Sequence, residues 1–444
     1  MTRFLAILFL AIAAVCWHSG PSTAATLITA QPAAAAAGCA DDGHAGAPAG
    51  KPMYAARRAA WAHPPPCLVP DVDYADGPDS TAVLVNPSTA RLPAFLRWNA
   101  KEHRLDCGGG GNNIVIQNYD FSLVPGGSGG ILINGCDNVT ISNVKIVLNC
   151  NDPAHVPYPV RQLPNSTNIA ITKVSVDAGG TRCQDETFYL NGAGTQSITY
   201  SKVTNALEHN ITFACPSTCT AIAKYNSFSG TGFAQGVHAN GIQFLGQQYT
   251  SYDLSHNYWF NPQPSRPLEA SANLTIDTTK GSPMVTLHFA GAITQTSLLD
   301  GMTITSANLP AGTKLATHST TNPQTIRLTQ KATATASGAS AAIPNAYPAG
   351  LASPIRVVAQ GTAPMLGGKI NGNVFDGDGP IRPGTNAIAC GGGPGVEIKG
   401  GQVQGNYFNP AGYQAGFWTR DTHCLNLAGA GNKRLDTGAT IPAP

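Results

Sequence analysis

The sequence predicts an all-β chain: a solenoid of short stacked strands with a small β module inserted into it. Three observations support this. Only 11% of the 444 residues are charged, against about 25% in ordinary soluble domains. Short alternating apolar–polar runs recur at intervals close to thirty residues, as expected of stacked repeat units. A second motif, Asn-x-aromatic, recurs four times with one outsized gap. The runs alternate with period 2, and none sustains a helical period.

Composition also excludes function classes. Lys and Arg total 26 against 24 Asp and Glu, a formal net charge of +2. Nucleic-acid binders show a basic excess or stripe that is absent here. Highly charged disordered chains are excluded by the same balance.

The chain opens on Arg3 and an apolar run over 4–15, followed by Ser22-Thr23-Ala24. This reads as a secretory signal of residues 1–24, too short to span a bilayer comfortably. A lipobox-like Ala36-Ala37-Gly38-Cys39 lies more than twenty residues past the apolar run and is the lesser reading. No later run reaches about eighteen apolar residues. A secreted or periplasmic chain without a membrane span is expected. Of the 11 cysteines, Cys16 leaves with the signal, and the other ten suit five disulfides. Cys215 and Cys219 form the one close cysteine pair, so a zinc finger is disfavoured.

Residues 25–107 read as an N-terminal extension and cap. From Gly108 the repeats begin: Asn138-Val-Thr-Ile-Ser-Asn-Val144, then Asn168-Ile-Ala-Ile-Thr-Lys-Val174, then Gln196-Ser-Ile-Thr-Tyr-Ser-Lys-Val203. Ile169 is matched to Ile198 in this alignment. The second ladder is Asn226-Ser-Phe228, Asn257-Tyr-Trp259, Asn373-Val-Phe375 and Asn406-Tyr-Phe408. Stacked Asn side chains at a bend would bond one another, with the aromatic two positions on pointing inward. The gap from Asn257 to Asn373 is far longer than one coil and holds a Thr-, Ala- and Ser-rich stretch. Strands are expected there at Met284–Phe289, Met302–Ile304 and Gln324–Leu328, with a turn at Leu309–Thr313. Residues 269–347 therefore read as the inserted module, between coils over 108–268 and over 348–444.

The coil length, the Asn-Val-Thr-Ile-Ser-Asn-Val unit and the Asn ladder resemble the right-handed parallel β-helix of the pectin-lyase-like superfamily. The resemblance covers about 108–268 and 348–410 and is specific for fold rather than activity. It implies a polysaccharide lyase, a hydrolase, an epimerase, a tailspike or an adhesin. The superfamily's own catalytic motifs are missing. Gly236-Val-His238-Ala-Asn-Gly241 only echoes the polygalacturonase His element, and Val396-Glu-Ile-Lys399 has Glu where that family places Arg. His238-Ala-Asn-Gly-Ile-Gln243 resembles a His-x-Asp-Gly-Ile-Gln segment of bacterial β-helix proteins, with Asn240 in place of the Asp.

Chemistry is expected at one column. Strands at 131–133, 187–190, 211–214 and 242–245 precede the Val/Ile units, and residues in register on a parallel sheet stack about 4.8 Å apart. Just before these strands stand Gly127–Gly130, then Gln184-Asp185-Glu186, Glu208-His209-Asn210 and His238-Ala239-Asn240. Asp185, Glu186, Glu208, His209 and His238 are the candidate catalytic set. In an elimination, His209 or His238 would take the proton α to a uronate carboxylate, with Asn240 and Gln243 as donors to the developing charge. In a hydrolysis, Asp185, Glu186 and Glu208 would supply paired carboxyls. The plainer alternative makes all of them solvated turn residues. Lys173, Lys202 and Lys224 fall at similar points of successive coils and read as a basic ladder for a polyanionic glycan, or as a solvated edge. Tyr252, Tyr258, Trp259 and Phe260 read as a sugar-stacking platform, with Trp259 in the core.

The expectation is an exported, monomeric, carbohydrate-active protein whose partner is an extracellular polysaccharide, a lyase before a hydrolase. A non-catalytic adhesin or glycan-binding scaffold is the competing class. The sequence identifies no cofactor and leaves calcium open.

Overall fold

The computed structural model describes residues 39, 42–149, 151–152, 154, 157–179, 185–206, 208–231, 240–246, 249–261, 274–289, 303–317, 324–343, 353–359, 365–378, 386–392, 398–413, 416–420 and 424–442. The signal sequence, Cys16, Cys150, Cys183, Gln184, His238 and Glu397 lie outside them. The fold is a β-solenoid of about 8 turns, nearly all-β, with 52% strand and 3% helix.

One wall is a 10-stranded sheet. Its strands are β1 (Leu96–Asn99), β2 (Arg104–Cys107), β3 (Gly130–Ile133), β4 (Val160–Gln162), β5 (Glu186–Leu190), β6 (His209–Cys215), β7 (Asn240–Gly246), β8 (Ser353–Ala359), β9 (Asn386–Gly392) and β10 (Gly416–Arg420). Strand β1 pairs antiparallel to β2, and every later pair is parallel. Alternate residues face the interior, where Leu105, Ile131, Val160, Phe188, Ile211 and Ile242 stack at 0–1% exposure. A slip of one residue would turn this whole row outward, so burial fixes the register.

The remaining walls close on themselves through strands such as Cys136–Val147 and Thr167–Asp177. From the fourth coil onward these long strands break at a bend. The bend residue is left-handed on every coil: Asn143, Lys173, Tyr200, Tyr225 and His256 have φ between 49° and 59°, followed by Gly372, Gly405 and Gly431. Immediately after it comes the Asn ladder. Asn257 Nδ2 donates to Asn373 Oδ1 (3.0 Å) and to Ala223 O (2.8 Å), while its Oδ1 accepts from the backbone N–H and the Nδ2 of Asn226. The ladder extends one step beyond the four motifs, to Asn432. The aromatics follow in register, Phe228 stacking on Trp259 at 4.2 Å.

One alignment in the sequence reading is corrected. Ile198 pairs with Ile171 and Val203 with Val176, so the third unit is shifted by two residues. Gln196 consequently occupies the inward slot of Ile169. It remains there because Nε2 donates to Leu190 O (3.1 Å) and Gly192 O (2.6 Å). A period-2 pattern cannot detect a slip of two, because the facing is unchanged.

The segment before β1 is a strap laid along the bend. Asp376, with a fully buried side chain, accepts from Arg57 Nε (2.9 Å), Trp61 Nε1 (3.0 Å), Tyr258 OH (3.2 Å) and Asn409 Nδ2 (2.9 Å). Further along, Gly77 N–H donates to Tyr200 O (2.9 Å), and Val85 N–H to Asn118 O on the first coil (2.9 Å). The strap thus runs from the late coils back to the first. Trp61, Val69, Val72, Tyr258 and Phe260 form a core beneath it. Tyr252, Tyr258, Trp259 and Phe260 are all buried, which rules out a sugar platform there.

The inserted module is a six-stranded antiparallel sheet over Leu274–Ala342 with its own core of Ile276, Leu287, Ile304 and Ile326. The expected strands Met284–Phe289 and Gln324–Leu328 are present; Leu274–Thr278 and Ala336–Ala342 were missed. Chain 353–359 re-enters the wall as β8 beside β7.

Four disulfides occur among the described residues. Cys39–Cys67 ties the strap to itself. Cys215–Cys219 joins the end of β6 to the start of the next strand of the same coil, whereas Cys107–Cys136 and Cys390–Cys424 each run from a wall strand to the strand that follows the wall on the next coil. No helix is long and apolar enough to cross a membrane among the described residues.

Candidate active site

Strand register assembles the predicted column. His209 pairs with Glu186, and Ile211 with both Phe188 and Ile242, so Asn240 lies level with His209. Glu186, His209 and Asn240 are two residues before Phe188, Ile211 and Ile242 and share their inward parity. This explains their low exposure of 7%, 4% and 0%. Asp185 and Glu208 are one residue earlier, at the rim.

Three carboxyls meet there with unequal environments. Burial pushes Glu186 up to about 7; the Asp185 charge adds to this, and the Thr212 hydroxyl and Arg161 oppose it. Glu208 rises to about 8 through burial, its hydrogen bond with Asp185, and the charges of Asp185 and Glu186. Both carboxyls therefore hold protons near neutrality while Asp185 accepts from Tyr158 OH at 2.5 Å.

His209 is a buttress in this arrangement. The Asn240 backbone N–H donates to Nδ1 (2.9 Å), which also lies 3.2 Å from Asn240 O, and Nε2 lies 3.7 Å from Glu208 Oε1. Asn240 Nδ2 donates to Gln243 Oε1 (2.8 Å), so the two amides bond each other. His238 lies outside the described residues.

The structure adds Tyr158, Arg161 and Tyr189. Arg161 pairs with Tyr189 across β4 and β5, and its guanidinium lies 4.7 Å from the Tyr158 ring and 5.7 Å from the Tyr189 ring. Arg161 Nε is buried without a hydrogen-bond partner among the described residues. Little in the local sequence pointed to them, because β4 is three residues long and carries none of the repeated motif. Tyr-Pro-Val-Arg ahead of an uncharged run was the available signal.

The lysines are elsewhere. Lys173 is level with Tyr200 at the bend, Lys224 with Thr199, and Lys202 with Ser175 and Ser227, so they occupy three different levels and form no ladder. Lys173 Nζ lies 3.9 Å from Asp79 and Lys224 Nζ 3.8 Å from Asp253. Lys202 sits beside Asp71 and Asp76 of the strap. The structure does not bring these residues to the carboxyl column. Among the described residues, no three His, Cys, Asp or Glu side chains converge as metal ligands.

No protein-family model matches the sequence, and no curated protein matches it.

Proposed function

We propose that the chain is a carbohydrate-active enzyme of the pectin-lyase-like kind that cleaves an extracellular polysaccharide at the column of Asp185, Glu186 and Glu208. The observation behind this reading is the hydrogen-bonded pair Asp185–Glu208 beside Glu186, with burial pushing Glu208 up to about 8 and Glu186 up to about 7. Hydrolysis needs a carboxylate to activate water and a protonated carboxyl to release the leaving oxygen. The pair serves as the first and Glu186 as the second. Tyr158 and His209 hold Asp185 and Glu208 in place. The shallow strand-lined wall suits an extended polymer.

β-Elimination is the second reading, and Arg161 favours it. A guanidinium held beside the carboxyls but bonded to none of them among the described salt bridges would stabilise the carbanion of a uronate. His209 suits the base poorly, since its Nδ1 is occupied by the Asn240 N–H.

The test is a panel of neutral and uronate glycans with two readouts, reducing ends and the ultraviolet absorbance of an unsaturated product. Reducing ends alone support hydrolysis, and both together support elimination. Glu208→Gln should lower either activity by about 10²–10⁴. Full activity in Glu186→Gln combined with Glu208→Gln would place the site elsewhere.

A further inference from the structure

We propose that the strap carries a calcium site, made by Asp71 and Asp76 together with the Ser227 hydroxyl of the coil beneath. The strap crosses the bend over one row of side chains. Ser175, Lys202 and Ser227 are level on successive coils, and a Cβ on Gly77 would lie 3.2 Å from both Ser175 Cβ and Lys202 Cε. A short loop delivers the two acids to this row, closed where Asp71 N–H donates to Tyr74 O (2.7 Å). The intervening Asp73 is spent elsewhere, on Arg58 and on the Val69 N–H (2.8 Å). None of these residues belongs to the carboxyl column.

The two carboxyls meet at Ser227. Asp71 Oδ2 lies 3.3 Å from Ser227 Oγ, while Asp71 Oδ1 accepts from the Met53 N–H (2.9 Å). Asp76 stands against the same hydroxyl and feels the Asp71 charge. All three residues are shut off from solvent, Asp71 at 1%, Asp76 at 3% and Ser227 at 2% exposure. Yet neither oxygen of Asp76 has a hydrogen bond of ordinary geometry among the described residues. Lys202 is near enough to favour the charged form of both acids, but no salt bridge among the described residues reaches either. Burying a carboxyl without partners is costly. Burial and the Asp71 charge push Asp76 well above the ordinary carboxylate range, against the pull of Ser227 and Lys202. A proton cancels that charge and still leaves the oxygens bare. A cation answers both.

The donor set selects the ion. Every side-chain atom offered is an oxygen, from two carboxylates and one hydroxyl, which suits a hard divalent cation rather than zinc or copper. Two carboxylates balance its two charges. Magnesium gives up its water reluctantly, and these oxygens are dry, so calcium fits better. Carbonyl oxygens or trapped water complete a calcium shell. The strap supplies both acids and the coil supplies Ser227, so the ion fastens one to the other beside the Arg57–Asp376 clasp.

The full chain is stripped with a chelator and titrated with calcium chloride by isothermal calorimetry, with magnesium chloride as the comparison. One calcium ion should bind per chain with a Kd on the order of 10⁻⁴ M or tighter. Calcium should also slow protease cleavage of the strap over 53–77. Asp76→Asn should weaken binding by about tenfold or more and remove that protection. The amide carries no charge into the interior, so this variant folds. Glu186→Gln combined with Glu208→Gln should bind calcium as wild type does, which separates the site from the column. Four results overturn the proposal: no binding by the stripped wild type up to ~10 mM calcium, equal affinity in Asp76→Asn, binding lost in the column double variant, or magnesium bound as tightly as calcium.

Discussion

Replacing Glu186 with Gln removes a titrating group and keeps the shape of the side chain. In the folded chain its carboxyl is pushed up to about 7, chiefly by burial, from an ordinary 4.5. At 1.36 kcal/mol per decade this gap is about 3 kcal/mol. The native state keeps a proton that the unfolded chain has already released, so stability falls as pH rises through this window. The penalty is absent below 4.5, grows up to about 7 and is constant above. Glutamine carries no such penalty. Its amide also forfeits little, since Glu186 Oε2 has no partner among the described residues. The variant should therefore melt with wild type near about pH 4 and be more stable by up to about 3 kcal/mol near about pH 8, while losing glycan cleavage. Thermal unfolding followed by circular dichroism across that range reads the effect. A stability difference independent of pH, or a variant less stable than wild type at the alkaline end, refutes the reasoning.

Asn257→Ala should destabilise the solenoid by about 3–5 kcal/mol, because it strands the Asn226 N–H and Nδ2 and the Ala223 carbonyl in the interior; urea unfolding measures it. Arg57→Ala leaves Asp376 buried without its cation, at a cost of about 3 kcal/mol. Limited proteolysis should then cut the strap before the coils, whereas an unchanged digestion pattern would contradict its clasped role. Non-reducing peptide mapping should recover Cys39–Cys67, Cys107–Cys136, Cys215–Cys219 and Cys390–Cys424; free thiols at these eight positions would contradict the bridges.

The sequence by itself determined the solenoid, because strand alternation and a bend residue are local properties written into each coil. Val139, Ile141 and Val144 announce an inward row, and Asn226, Asn257, Asn373 and Asn406 announce the ladder that their side chains form. It also located the column, since carboxyls and histidines are scarce and stood before successive strands. Only the tertiary structure decided which neighbours meet. Alternation fixes the face of a residue and leaves shifts of two unresolved, which is how Gln196 came to fill an isoleucine slot and how three lysines were mistaken for a ladder. Tyr158 and Arg161 join the carboxyls from a three-residue strand with no repeat of its own. The strap reaches Asp376 from more than three hundred residues away, a contact without any local pattern. Proton affinity likewise belongs to the assembly: Glu186 and Glu208 hold their protons because stacking buries them against Asp185, and burial is a property of the stacked coils rather than of any one segment.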